Sequence, residues 1–281
     1  MKTEKKRLDT LLVERGLFET REKAKRAIMA GIVYSNEERL DKPGVKVPED
    51  IPLSIKGKQM PYVSRGGYKL EKALKEFDVT VKDKILIDIG SSTGGFTDCA
   101  LQNGAKLSYC VDVGYNQLAW KLRQDPRVVV MERTNFRYLK PEDLEKELPE
   151  FAVIDVSFIS LKIILPVLKH LLVAPGDVIA LIKPQFEAGR EHVGKKGIVR
   201  DSKIHIAVIN DIVDFAIAEG YHAKQVTHSP ITGGDGNIEY LLHLVWTGNT
   251  SEPGKNLIPE KIDHIVERAH QELYKKDRED S

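Results

Sequence analysis

Ile85-Leu86-Ile87-Asp88-Ile89-Gly90-Ser91-Ser92-Thr93-Gly94-Gly95-Phe96 is the stretch from which the fold can be read. An apolar run of strand length passes without a spacer into a glycine-rich turn, and a helix-length segment follows at once. Outward from it, apolar runs at 107–111, 128–131, 151–155 and 178–182 alternate with helix-length segments. Strands alternating with helices imply a parallel, doubly wound sheet. Residues 65–77 predict a helix ahead of the first strand. Beyond Pro184 a glycine-rich loop reaches Asp201, followed by a helix over 202–219 and strands over 222–227 and 239–246. The turn-rich stretch 230–237 is short enough to make those two strands antiparallel neighbours. A last amphipathic helix carries Ile262, Ile265, Val266, Ala269 and Leu273 on one face.

Toward the N-terminus the character changes. Leu8, Leu11, Leu12 and Val13 keep helical spacing until Gly16, and Thr20 caps a second helix running through Ala30 to Gly31. Strand-like stretches at 32–34 and 51–55 follow, with Pro43, Gly44 and Pro48 between them. The polar stretch 56–61 reads as a linker. The expected organisation is a small domain over 1–58, a linker over 59–62, a large domain over 63–250 and a tail over 251–281. The fold class is α/β, a Rossmann-like doubly wound sheet behind a small N-terminal α+β domain.

The chain of 281 residues carries 43 Lys plus Arg against 42 Asp plus Glu, yet residues 1–60 hold 14 of those cations and 10 of the acids. The remainder is left with 29 against 32, so the small end is the basic one. No stretch reaches the roughly 20 apolar residues of a membrane span; the most apolar, 163–182, is broken by Lys169, His170 and Asp177. A charged start without an apolar heart lacks the form of a secretory signal, which predicts a cytoplasmic protein. Cys99 and Cys110 have neither disulfide nor metal-ligand spacing and read as buried thiols.

The turn after the first strand is expected to bind a ligand, because glycines let backbone approach a bound molecule and open α/β sheets bind beyond the carboxyl ends of their strands. The second strand runs into Asp112, 24 residues after Asp88, where an acid can grip the two hydroxyls of an adenosine ribose. A dinucleotide site needs Gly-x-Gly-x-x-Gly. Here the order is Asp-x-Gly-x-x-x-Gly-Gly, whose acidic lip suits a cationic ligand and resembles the first motif of S-adenosylmethionine-dependent methyltransferases. The expected cofactor contacts are Asp88, Gly90, Ser91, Ser92, Thr93, Gly94, Gly95, Phe96, Asp112, Val113, Asn135 and Asp155.

Asp155 and Lys183 close two parallel strands, and Glu239 opens the antiparallel one, so all three charges fall on the same sheet edge. A lysine directly after a buried strand and before Pro184 is more than a solvated strand end. Lys69, on the preceding helix, is not placed by spacing. The order Lys69, Asp155, Lys183, Glu239 resembles that of FtsJ-like ribose 2'-O-methyltransferases, over residues 61–247. Tyr62-Val63-Ser64-Arg65-Gly66-Gly67-Tyr68-Lys69-Leu70, Asp155-Val156-Ser157-Phe158-Ile159-Ser160 and Lys183-Pro184-Gln185-Phe186-Glu187-Ala188-Gly189 resemble the TlyA family in particular. Residues 7–58 resemble the S-four type RNA-binding domain at Arg21, Ala24, Ile28 and Gly31. They depart from it at Tyr34-Ser35-Asn36, where Val-Asn-Gly is usual.

The resemblance implies S-adenosylmethionine as cofactor, methylation of a cytidine ribose in ribosomal RNA or ribosomal subunits, and the four charged residues as a catalytic tetrad. No metal is needed for that chemistry. Lys183 is the expected base or alkoxide stabiliser, its pKa lowered by Lys69 and burial, with Asp155 and Glu239 orienting the ammonium groups. Arg7, Arg21, Lys23, Lys25, Arg26 and Arg65 are expected to meet RNA. In the loop 187–201, Arg190, Lys195, Lys196 and Arg200 among glycines suggest a lid, with Phe186 and His192 able to stack on a base. The name hemolysin is also attached to the family. Against direct lysis stands the lack of a signal or spanning segment, against a nicotinamide oxidoreductase the glycine spacing, and against an inactive RNA-binding protein the four intact charges.

Overall fold

The computed structural model describes residues 5–279 apart from 30, 37, 57–59, 234 and 235. The chain divides into two compact units, Met1–Pro61 and Tyr62–Ser281. Residues 57–59, which include the start of the expected linker, and the expected helix end at Ala30 lie outside the described residues.

The first unit holds β1 (Lys5–Arg7), α1 (Leu8–Glu14), α2 (Arg21–Met29), β2 (Val33–Ser35), β3 (Glu38–Arg39), β4 (Lys46–Pro48) and β5 (Ser54–Ile55). β1 pairs with β4, and β2 lies between β3 and β5, all antiparallel. Leu8, Leu11 and Leu12 of α1 pack on Ala24, Ala27 and Ile28 of α2, and Val33 and Val47 close this core. Thr20 caps α2 by accepting the N–H of Lys23 at 3.2 Å. Sequence reading expected strands over 32–34 and 51–55; the second is only Ser54–Ile55, and three further short strands are present. Lys5–Arg7 is entirely charged, so hydropathy alternation carries no signal for it. Asn36, at the departure from Val-Asn-Gly, sits at φ 53°, a left-handed position that asparagine tolerates.

The second unit begins with α3 (Gly66–Glu76), β6 (Ile85–Ile89), α4 (Gly95–Gln102), β7 (Leu107–Val111), α5 (Trp120–Arg123) and β8 (Val128–Met131). Then come β9 (Phe151–Ile154), α6 (Leu161–Leu168), β10 (Gly176–Ile182), α7 (Pro184–Glu187), α8 (Ser202–Ala218), β11 (Tyr221–His228), β12 (Tyr240–Trp246) and α9 (Ile262–Glu279). The seven-stranded sheet has the order β11-β12-β10-β9-β6-β7-β8, and β12 alone runs opposite to its neighbours. Period two assigns the faces. Ile85, Ile87 and Ile89 meet the side covered by α6, α8 and α9, while Leu86 meets α3 and α4. The expected free loop after Pro184 is more ordered than the glycines suggested: it contains α7 and two 3-10 turns, Arg190–His192 and Lys195–Gly197.

Chain order places the site. β6, β7 and β8 extend the sheet one way and β9 starts the other, so the direction reverses between β6 and β9, and a crevice opens beyond their carboxyl ends.

Candidate active site

Gly90 follows β6 with φ 84°, and a Cβ there would collide with the carbonyl of Asp155 just after β9. Only glycine lets the turn lie this close to β9. A Cβ on Gly95, at the start of α4, would strike Ser64 and stand 2.9 Å from the N–H of Gly67 in α3. That close crossing brings α3 over the sheet edge and carries Lys69 into the crevice.

There Lys69 Nζ donates to Asp155 Oδ2 at 3.2 Å and to Glu239 Oε2 at 2.7 Å. Lys183 Nζ stands 2.5 Å from Asp155 Oδ1 and donates to Ser157 Oγ at 3.1 Å. Two ammonium groups and two carboxylates form one net-neutral cluster in which Asp155 is shared. Glu239 is only 2% exposed, and Lys69 and Lys183 are also buried. Burial alone would lower the Lys69 pKa, but Asp155 and Glu239 outweigh it and raise it, so Lys69 stays charged. Burial alone would raise Asp155, but Lys69 and Lys183 hold it below the usual carboxylate range.

The same four side chains line a cavity of about 340 Å³ with Asp88, Gly90, Ser91, Ser92 and Thr93 of the turn and Gly95 and Phe96 of α4. Its size falls within the range of small-molecule sites. Asp88 is buried; Thr97 donates to its Oδ2 through both N–H (3.1 Å) and hydroxyl (2.7 Å), while Oδ1 has no hydrogen-bond partner. Burial pushes the Asp88 carboxyl up to about 7 against those two bonds. A buried carboxylate with an unused oxygen is the complement of a cationic ligand, so the residues present fit the cofactor that the turn suggested.

Other expected cofactor contacts stand outside this lining. Gly94, at φ 94°, is the residue ahead of α4. Asp112 follows β7 and accepts the N–H groups of Ser92 (2.7 Å) and Gly114 (2.7 Å), tying the turn to the second strand. Val113 is exposed, and Asn135 caps a 3-10 turn by accepting the N–H of Arg137 at 3.1 Å.

The expected RNA contacts separate into groups. Arg65 is exposed and lines the cavity. Arg7 and Arg21 both donate to buried Asp9 at 3.0 Å, and the Arg7 guanidinium, with Arg21 beside it, holds that carboxyl well below the usual range. Lys23 pairs with Glu19, and Lys25 with Glu22 at 2.8 Å, while Arg26 is exposed. Arg190, Lys196 and Arg200 are exposed in the loop after α7, as is His192; the side chain of Lys195 lies outside the described residues. Phe186 packs against Phe158 with ring centroids 4.8 Å apart, and its ring lies 5.8 Å from Lys183 Nζ.

Sequence reading singled out neither Ser157, which lines the cavity, nor Phe158, which packs on Phe186 beside it. Phe158 is 90% exposed and held at φ 63°, a conformation disfavoured for a bulky side chain. Its place three residues after Asp155 was the available signal; its backbone strain was not legible.

Residues 62–246 match the FtsJ-like methyltransferase family, and residues 6–50 match the S4 domain. The Bacillus subtilis (strain 168) protein named "Putative rRNA methyltransferase YqxC" is 70% identical over 98% of this chain and 98% of its own. The Mycobacterium tuberculosis (strain ATCC 25618 / H37Rv) protein named 16S/23S rRNA (cytidine-2'-O)-methyltransferase TlyA is 41% identical over 85% of this chain and 89% of its own. The solved structure "Putative hemolysin from Streptococcus thermophilus" superposes with a TM-score of 0.78 at 55% identity, covering 98% of this chain and 99% of that one.

Proposed function

The chain belongs to the FtsJ-like methyltransferases, within their TlyA group, and from that premise we propose that it methylates a ribose 2'-hydroxyl of ribosomal RNA, at cytidine. The observation that carries this reading is the meeting of Lys69, Asp155, Lys183 and Glu239 beside the glycine-rich turn. Bound S-adenosylmethionine supplies a methyl group already activated on a sulfonium. The residues of this chain then have two tasks: to orient a poor nucleophile and to manage its proton and its developing charge.

Lys69 faces two carboxylates and acts as a fixed positive charge. Lys183 meets one carboxylate, the shared Asp155, and we assign it the 2'-oxygen, as proton acceptor or as stabiliser of the alkoxide. Asp155 holds both ammonium groups in place. Phe158, strained and exposed beside Ser157 and Phe186, offers a ledge on which the target base can stack. The reading is tested with labelled S-adenosylmethionine and ribosomal RNA or subunits. Label in 2'-O-methylcytidine is the expected outcome, and label only in a base, or none, refutes it. Among the described residues no helix is long and apolar enough to cross a membrane, which offers no support to a spanning, lytic alternative.

Asp88 makes cofactor binding pH-dependent. A cation favours the ionised carboxylate, so below about 7 binding must expel a proton and above it need not. S-adenosylmethionine affinity is expected to fall about tenfold per pH unit below that point and to level off above it. Calorimetry from pH 5.5 to 8.5 (on the order of the range that brackets the transition) checks this. Asp88→Asn should abolish the slope; an equal slope in the variant would assign it to another group.

The basic first unit is proposed to dock RNA. Because Arg7 and Arg21 are committed to buried Asp9, the informative substitutions are Lys25→Ala and Arg26→Ala, which leave those two ion pairs intact. Together they should weaken RNA binding and reduce the slope of log affinity against log salt by about 1 to 2, as lost phosphate contacts release fewer counterions. Cofactor affinity should not change. An unaltered salt slope in filter binding would move the docking surface off α2.

A further inference from the structure

Glu239 precedes β12 and has its side chain engaged with Lys69, so its placement depends on what grips the backbone around it. Two chains of contacts reach Glu239 and its neighbours, the first through the Glu239 backbone and the second through the side chains of Asn237 and Tyr240, and both begin on α9. In the first, Glu272 of α9 accepts from His228 Nε2 at 3.0 Å. His228 ends β11 opposite Tyr240, and the N–H of the next residue, Ser229, donates to the Glu239 carbonyl at 2.8 Å.

In the second chain, His270 Nε2 of α9 lies 3.2 Å from Nδ1 of His205 in α8. That same Nδ1 is 2.8 Å from the Tyr240 hydroxyl, and His205 Nε2 is 2.9 Å from the Val199 carbonyl. A carbonyl only accepts, so His205 carries its proton on Nε2. Its Nδ1 is therefore the acceptor, its one lone pair taken by the nearer Tyr240 O–H, and the His270 ring packs edge-on against His205 with centroids 4.9 Å apart. Val199 in turn donates its N–H to Asn237 Oδ1 at 3.1 Å, and Asn237 Nδ2 donates to the Gly197 carbonyl at 2.9 Å. Asn237 and Tyr240, on either side of Glu239, are thus tied through His205 to α9. Ile265, Val266, Ala269 and Leu273 bury the apolar face that keeps α9 docked.

We propose that α9 positions the catalytic cluster: through His270 and Glu272 it sets where the Glu239 carboxylate, and with it the Lys69 ammonium, stands. The proposal rests on the methyl-transfer reading above. Neither His270 nor Glu272 lines the cavity, so both are positioning residues that act through others. A displacement of about 1 Å in a reacting constellation can cost about 100-fold in rate.

Deleting α9 would strip apolar cover from the sheet and confuse unfolding with mispositioning, so the test uses His270→Ala with Glu272→Ala in the full chain. This pair is expected to lower the single-turnover rate about 10-fold to 100-fold with S-adenosylmethionine affinity unchanged. In a Glu239→Gln background the same pair should cost nothing further, because the carboxylate it places is gone. An equal loss in both backgrounds, or no loss with Glu239 present, overturns the proposal. His270→Gln with Glu272→Gln keeps a donor and an acceptor and should restore most of the rate; failure to do so also overturns it. Amide exchange at Ser229 separates this inference from the functional reading. It should quicken at least about tenfold in the alanine pair whether or not the parent protein methylates RNA, and unchanged exchange refutes the positioning role by itself.

Discussion

Replacing Lys183 with alanine is expected to lower the single-turnover rate of methyl transfer at least about 100-fold, the low end of what a positioned proton acceptor or a single stabilising donor contributes. The fold should persist, because Lys183 follows the end of β10 and its ammonium group meets Ser157, the shared carboxylate of Asp155 and the Phe186 ring at the sheet edge. Cofactor affinity should persist as well, since Asp88 and the turn are untouched. Lys183→Arg distinguishes the two roles assigned to the residue. A guanidinium stays protonated near neutrality and cannot accept the 2'-hydroxyl proton. If Lys183 is the base, arginine will be as slow as alanine. Recovery by arginine would reduce the role to electrostatics, and near-normal turnover in the alanine variant would remove Lys183 from the mechanism.

The sheet edge was legible in the sequence to different degrees, for physical reasons. Runs such as Ile85–Ile89 and Leu107–Val111 are buried on both faces, so their ends show as abrupt changes in hydropathy. Once those ends are located, strand direction alone places Asp155, Lys183 and Glu239 on one side. Lys69 is different, because a helix position has no such rule. Its arrival depends on α3 crossing α4 at Gly67 and Gly95, a contact between segments 28 residues apart that no local pattern encodes. The short strands of the first unit were illegible for the opposite reason: pairings of two or three residues are too brief for alternation to register. The two histidine-centred chains from α9 were also hidden, since His205, His228 and His270 are scattered along the chain and acquire meaning only where α8, β11 and α9 meet.

Asp155→Asn is expected to have the second large effect, and on two observables at once. The carboxylate is the shared member of the cluster, 3.2 Å from Lys69 and 2.5 Å from Lys183. Removing its charge leaves two buried ammonium groups with Glu239 as the remaining carboxylate. Breaking a buried ion pair by removing one partner costs about 3–5 kcal/mol, because the other charge stays desolvated and uncompensated. The asparagine amide can still accept a hydrogen bond, and the Asp155 side chain is about a fifth exposed, so the loss should fall at or below the lower end of that range. For catalysis the expected loss is at least about 100-fold, since both lysines lose the group that orients them. The native carboxylate is held below its usual pKa, so its contribution to stability is present above the unfolded value near 3.8 and disappears as pH falls through the lower folded value. The stability gap between parent and variant should therefore be full at neutral pH and close only in strong acid. Denaturant titrations at neutral pH and near about pH 3 measure that gap. A gap that closed near neutrality would assign it to a different titrating group, and an active, equally stable asparagine variant would show that Asp155 does not hold the two lysines together.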